Sequence, residues 1–284
     1  MKIGFASCMK IQNQPDQDAV WYEMLREKID YLVLLGDTFY SKNWYYSKKK
    51  YDKRFDNQWG SGMPQSLKEL TEYLGPDRIL ATWDDHDFGP NDSCGESWMM
   101  RKNRHHSRKR FLEYFPMPVE NEGIEYVKEI PNSNVVFISL DMRFYKETAW
   151  RFYVIPNRNA KLLGDKQWKW FEEQMEKYKD KQVVVMSSST IQGKDGWKNH
   201  PKERDKFLEM MGSMQKRPII LSGDIHENRV RKFIYTDDLN EITELTSSGI
   251  RDNMYNYGIL NLHKNQATYE LRSNIEKYKF EGRL

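Results

Sequence analysis

The chain has 284 residues, with 45 Lys+Arg against 42 Asp+Glu, so its formal net charge is only +3 and nucleic acid is not the default partner. Its 9 Trp, 17 Tyr and 13 Phe exclude a solvated, disordered chain. No stretch approaches the roughly 18 uninterrupted apolar residues of a membrane-spanning helix, and the 2 cysteines, Cys8 and Cys94, exclude a disulfide framework.

In chain order, Lys2 to Ala6 predicts a strand; with only Met1-Lys2 ahead of it there is no signal-peptide pattern, and a cytoplasmic protein is expected. Asp16 to Lys28 predicts a helix after Pro15. Tyr31-Leu32-Val33-Leu34-Leu35 is a buried-strand run stopped by Gly36. Leu67 to Leu74 predicts a helix, Arg78 to Trp83 a strand, and Ser97 to Phe115 a long basic helix. Val135 to Leu140 is another buried strand. Asp165 reads as the N-cap of a helix in which Trp168, Phe171, Met175 and Tyr178 recur at helical spacing. Gln182 to Met186 is a β-branched strand, Lys202 to Met211 a helix and Pro218 to Leu221 a strand. After Asp224, four consecutive strands are predicted: Val230 to Tyr235, Glu241 to Thr246, Met254 to Leu262 and Gln266 to Leu271. Alternating helices and strands followed by a strand-rich tail predict a layered α/β fold with mixed sheets. No repeat or linker divides the chain, so one domain over residues 1–284 is expected.

Two segments stand apart by composition. Ser41 to Gly60 is crowded with aromatic and basic residues without a clean period, and Arg101 to Arg110 carries six Lys/Arg, two His and no acid. A solvated face is the plain reading of both.

Polar residues cluster just after the apolar runs, the sheet edge where open α/β folds bind ligands. Ser7-Cys8 follows the first, Gly36-Asp37-Thr38-Phe39-Tyr40 the second, and Asp84-Asp85-His86-Asp87 the third. Asp141 and Arg143, Ser187-Ser188-Ser189, and Gly223-Asp224-Ile225-His226 follow later ones. Taken singly, each has a plainer reading: Cys8 a small buried hydrophobe, Asp37 a turn residue, Arg143 a carboxylate partner, Asp84 and its neighbours a helix cap. Taken together, converging carboxylates would repel unless cations compensate them. Carboxylates suit hard ions such as Ca, Mg or Mn, whereas a thiolate and an imidazole favour Fe or Zn.

The ordered strings Phe5-Ala6-Ser7-Cys8, Leu35-Gly36-Asp37-Thr38-Phe39-Tyr40, Trp83-Asp84-Asp85-His86-Asp87-Phe88-Gly89 and Leu221-Ser222-Gly223-Asp224-Ile225-His226 resemble the PhoD-like alkaline phosphatases, within the calcineurin-like metallophosphoesterase superfamily. The resemblance implies a four-layer αββα sandwich of two mixed sheets. It also implies a multinuclear metal site, with Ca2+ and Fe3+ the expected ions and Zn or Mn the alternatives, and hydrolysis of phosphate mono- or diesters by a metal-activated hydroxide. It assigns Cys8, Asp37, Tyr40, Asp85, Asp224 and His226 as metal ligands, with Asp37 bridging. His86 then serves the leaving group, oriented by Asp84 or Asp87, and Arg143 clamps the phosphoryl oxygens. Where the wider superfamily supplies a lone His ligand, this chain offers Ser187 to Ser189 and Gln192, a departure that favours oxygen ligation and Ca. The partner implied is a phosphate-ester substrate. The alternatives are a nuclease that uses the two basic segments as a phosphate track, with nucleic acid then the substrate, and a non-catalytic binding protein on the same fold.

Overall fold

The computed structural model describes residues 1–10, 14–40, 44–151, 155–234, 241–251, 253–263 and 266–284. Two six-stranded sheets carry the architecture. The first contains β1 (Lys2–Ala6), β2 (Tyr31–Leu35), β3 (Ile79–Thr82), β12 (Tyr257–His263), β13 (Gln266–Arg272) and β14 (Phe280–Arg283), in the order β14-β13-β12-β1-β2-β3. The second contains β4 (Tyr126–Glu129), β5 (Val135–Ser139), β8 (Gln182–Ser187), β9 (Ile219–Ser222), β10 (Arg229–Ile234) and β11 (Glu241–Thr246), in the order β10-β11-β9-β8-β5-β4. A short pair, β6 (Trp150–Arg151) and β7 (Ile155–Pro156), lies outside both. Both sheets are mixed: β1, β2 and β3 run parallel, as do β5, β8, β9 and β11, while the flanking strands are antiparallel.

The central strands bury both faces, and their two-residue period sorts side chains into two different cores. Ile3, Phe5, Val33, Leu35, Phe137, Val184, Met186 and Leu221 meet in one apolar cluster drawn from both sheets. The intervening Ala6, Leu32, Leu34 and Ala81 of the first sheet join Trp21, Met24, Leu67 and Leu70 of α1 (Gln14–Arg26) and α3 (Gln65–Leu74). Val136, Ile138, Val183, Val185 and Ile220 of the second join Phe171 and Phe207 of α6 (Gly164–Lys177) and α7 (Pro201–Gly212). Each Val, Leu, Ile, Phe or Met among them contributes about 1.5–3 kcal/mol when fully buried. The four layers are thus helices, sheet, sheet, helices, the expected αββα sandwich.

Local differences from the sequence reading have physical causes. The long basic helix is shorter: α5 spans Arg104–Tyr114, and residues 97–103 form turns held by Ser97 Oγ accepting from Met100 N and Asn103 Nδ2 donating to Met99 O. Asp165 is not a cap; the helix already begins at Gly164, and Asp165 in its first turn pairs with Lys161 at 2.5 Å. Within the aperiodic segment, α2 (Lys48–Asp56) forms because Tyr51 and Phe55, four residues apart, bury one edge against Phe39 at 5.6 and 4.6 Å between ring centroids. Residues 41–43 of that segment, and Tyr235 at the end of an expected strand, lie outside the described residues. No helix among the described residues is long and apolar enough to cross a membrane.

Sorting by period places one acid inward. Glu244 of β11 is fully buried, accepts the Ile191 N–H at 2.8 Å, and is pushed by burial from 4.5 to about 7. A carboxyl whose folded pKa is raised binds its proton more tightly in the folded state, so its stabilisation is complete below about 4.5 and is lost as pH rises through about 7. Relative to Glu244→Gln, the wild type is expected to lose on the order of 3 kcal/mol between those limits. Paired denaturant titrations near pH 5 and pH 8 check it; a constant difference would refute it.

Candidate metal centre

The parallel strands of both sheets release the chain at one end, and their next residues meet there. After β3 the chain enters the one-turn helix α4 (Asp85–Phe88), which carries Asp85, His86 and Asp87. Cys8 Sγ lies 3.6 Å from Asp37 Oδ2 and 3.1 Å from Ser248 Oγ. Tyr40 Oη is 2.9 Å from His226 Nε2. The backbone N–H of His86 donates to Asp37 Oδ1 at 3.3 Å and to Asp85 Oδ1 at 2.9 Å. Ligand atoms of Cys8, Asp37 and His226 fall within 4.8 Å of one another, and so do those of Asp37, Asp85 and His86. Asp37 belongs to both sets. Asp85, Asp92 and Asp195 make a third set.

The backbone is strained to achieve this. Cys8, Asp37, Asp92, Asp224 and His226 all have positive φ, at 59, 51, 57, 77 and 53°. A left-handed non-glycine residue costs roughly 1–2 kcal/mol, and such outliers gather where function over-determines the backbone. Gly36, at φ +87°, gives Asp37 its approach: a Cβ there would lie 2.6 Å from Asp84 Cβ.

The electrostatics are those of an anion cluster. Burial, then the charge of Asp85, pushes the Asp37 carboxyl well above its usual range. Burial and then Asp84 do the same to Asp224, and burial and then Asp37 to the Cys8 thiol and the Tyr40 phenol. Burial also opposes the charge of Asp85, but Arg143 and His86 overcome it and lower the carboxyl. Burial lowers His86, whose Nδ1 has no hydrogen-bond partner among the described residues. Protons held this way are what a metal ion displaces on binding. The donors fit resident metals: thiol, phenol and imidazole on one side of Asp37, carboxylate and imidazole on the other, with Asp84 Oδ2 buried nearby and without a hydrogen-bond partner among the described residues.

Not every expected residue belongs to these sets. Asp224 charges it electrostatically but is in none of the three sets. Asp84 Oδ1 accepts from Arg143 Nε at 2.6 Å and Ser188 Oγ at 2.8 Å, while Asp87 accepts from Thr38 N and Oγ1 and from Asp84 N. Neither makes the expected bond to the His86 ring. Arg143 is 1% exposed and ion-paired to both Asp84 and Asp195. Ser187 Oγ donates to Ser189 O and Gln192 is exposed.

Sequence reasoning missed Asp195 and Lys146. Lys146 Nζ donates to Asp195 Oδ1 and to its backbone O, both at 2.6 Å, and the cations Arg143 and Lys146 hold Asp195, against burial, at about 2. Nothing in the sequence marked them; Gly196 makes the approach possible, since a Cβ there would sit 1.8 Å from Ser189 Oγ, where the loop carrying Asp195 presses on the segment after β8.

A family model for PhoD-like phosphatases matches residues 78–283. The chain belongs to the PhoD-like phosphatase family. That span of the PhoD-like chain holds Asp85, His86, Asp224 and His226; Cys8, Asp37 and Tyr40 precede it and reach the same centre only through the fold. No curated protein matches the sequence. Among solved structures, purple acid phosphatase PPD1 from yellow lupin (Lupinus luteus) seeds is similar at TM-score 0.61 and 11% identity, over 99% of this chain and 52% of that one. The PhoD-like chain therefore spans about half the length of that protein. The protein TT1561 of Thermus thermophilus matches at TM-score 0.44 and 8% identity, over 90% of this chain and 92% of that one. At such identities, the likeness to the purple acid phosphatase establishes a shared fold.

Proposed function

We propose that this PhoD-like protein hydrolyses phosphate esters, mono- or diesters, at a multinuclear metal centre. One observation carries the reading: Asp37 belongs at once to a set with a thiol and an imidazole and to a set of carboxylate and imidazole donors. Cys8, Tyr40 and His226 suit iron, with zinc the alternative. Asp85, with Asp224 beside it, suits calcium, with manganese the alternative. Such ions supply Lewis acidity and a water of lowered pKa. Residues 1–284 are read as one catalytic unit, because these donors come from both sheets.

The protein's own groups do the rest. His86 offers a ring N–H to the departing oxygen, and Tyr40, whose ring lies tilted by 48° at 4.3 Å between centroids, restricts the imidazole. Asp84 and Arg143 position the loop after β3 through their buried pair rather than by touching the ring. The nuclease alternative loses its track: Arg104, Arg108 and Arg110 are engaged by Glu96, by the Asn121 and Gly123 carbonyls, and by Asp52, Asp56 and Glu113.

The test is to strip metal and add back iron, calcium, zinc and manganese singly and in pairs, assaying an aryl phosphate and an aryl phosphodiester. Restored turnover with a mixed pair is expected; folded protein inert with every combination would end the proposal. His86→Ala is expected to cost about 10² in rate on an alkyl leaving group, within the range of general-acid assistance, and much less on nitrophenolate, which leaves unaided. Equal losses on both would remove His86 from leaving-group departure.

A further inference from the structure

Six of the nine tryptophans, Trp21, Trp59, Trp83, Trp168, Trp170 and Trp197, are buried. The other three are Trp44 at 84% exposure, Trp98 at 79% and Trp150 at 45%; Trp44 and Trp98 lie in the segments that follow Tyr40 and Asp92, and Trp150 lies in β6, four residues after Lys146. Their segments adjoin. Tyr46 N donates to Met99 Sδ at 3.2 Å, joining the first loop to the second, and Glu96 N donates to Lys146 O at 3.1 Å, joining the second to the stretch that leads to Trp150. Tyr45, also exposed, meets Trp44 edge to face at 5.3 Å. Indole rings held in water on three neighbouring segments are costly unless something covers them.

Charge indicates what that is. Residues 48–54 and 101–110 together carry eleven Lys/Arg and one Asp, so the remainder of a chain with net charge +3 is acidic. The arginines of these segments are largely consumed internally: Arg101 and Arg104 pair with Glu96, and Arg110 with Asp52, Asp56 and Glu113. Exposed lysines at 48, 49, 53 and 102 remain as the outward charge. Lysines attract a charged surface without the bidentate geometry that reads individual phosphates. Tryptophan at the tips with lysine behind is the pattern that seats a protein in the headgroup layer of a bilayer.

We propose that this rim docks the protein on an anionic lipid bilayer, with Trp44 and Trp98 entering the headgroup region and the mouth of the metal centre facing the membrane. The proposal does not depend on the reaction assigned above, because docking is read without turnover. The experiment is co-sedimentation with vesicles of equal parts phosphatidylserine and phosphatidylcholine, against phosphatidylcholine alone and against single-stranded oligonucleotide. Binding to the anionic vesicles that weakens with salt is expected. The double variant Trp44→Ala/Trp98→Ala should weaken it about tenfold or more, and Lys49→Glu/Lys102→Glu about fivefold per charge. Neither should alter melting temperature or turnover of a water-soluble aryl phosphodiester. No binding to anionic vesicles at low salt, binding that neither pair of substitutions weakens, or preferential retention by the oligonucleotide would overturn it.

Discussion

Asp37→Asn is expected to lower turnover of aryl phosphate and aryl phosphodiester alike, by more than the ~10²–10³ lost when a single oxyanion donor is removed, and to strip metal from both sides of the centre. The magnitude follows from position: among the described residues, Asp37 alone belongs both to the set with Cys8 and His226 and to the set with Asp85 and His86. Asparagine keeps the oxygen that accepts the His86 N–H and cannot ionise beside Asp85, so the metal-free fold should hold or gain stability. Metal analysis alongside kcat/KM decides the matter. Near wild-type turnover with metal retained would dismantle the assigned centre.

Arg143→Met is expected to destabilise the fold by about 3–5 kcal/mol, the cost of breaking a buried ion pair and leaving its partner uncompensated. Asp84 and Arg143 are each 1% exposed, and the same guanidinium also pairs with Asp195. Arg143→Lys should recover only part of the loss, because one ammonium cannot span two carboxylates as a planar fork does. For a chain of this size the methionine variant should melt on the order of 10 °C lower. A loss below about 1 kcal/mol by denaturant unfolding would mean that Asp84 and Asp195 are already protonated or solvated.

The layered fold was legible because its central strands are buried on both faces and read as plain apolar runs, bounded by Gly36 or by carboxylates. The same boundaries exposed Cys8, Asp37, Asp85 and His226, since a polar group directly after a buried strand must emerge at the sheet's edge. What escaped was whatever depends on long-range pairing. Asp195 is anonymous in Gly193-Lys194-Asp195-Gly196 until the loop folds back onto Arg143 and Lys146. β4 and β14 carry mixed, half-exposed residues and owe their existence to the neighbours that pair them. The aromatic-basic segment showed no period because α2 is short and passes at Asn57 into a wide turn that buries Trp59. The arrangement around Arg143 was open by nature, since a sequence shows an arginine but not which acids enclose it.

The left-handed residues at the centre carry an evolutionary consequence. Glycine at positions 8, 37, 224 or 226 would let the chain relax, yet would delete the very atom that binds. Heat tolerance and chemistry therefore select in opposite directions at the same codons. Lineages adapting to hotter habitats must find their reinforcement elsewhere, in the helices and the inter-sheet seam, and leave this uncomfortable corner untouched.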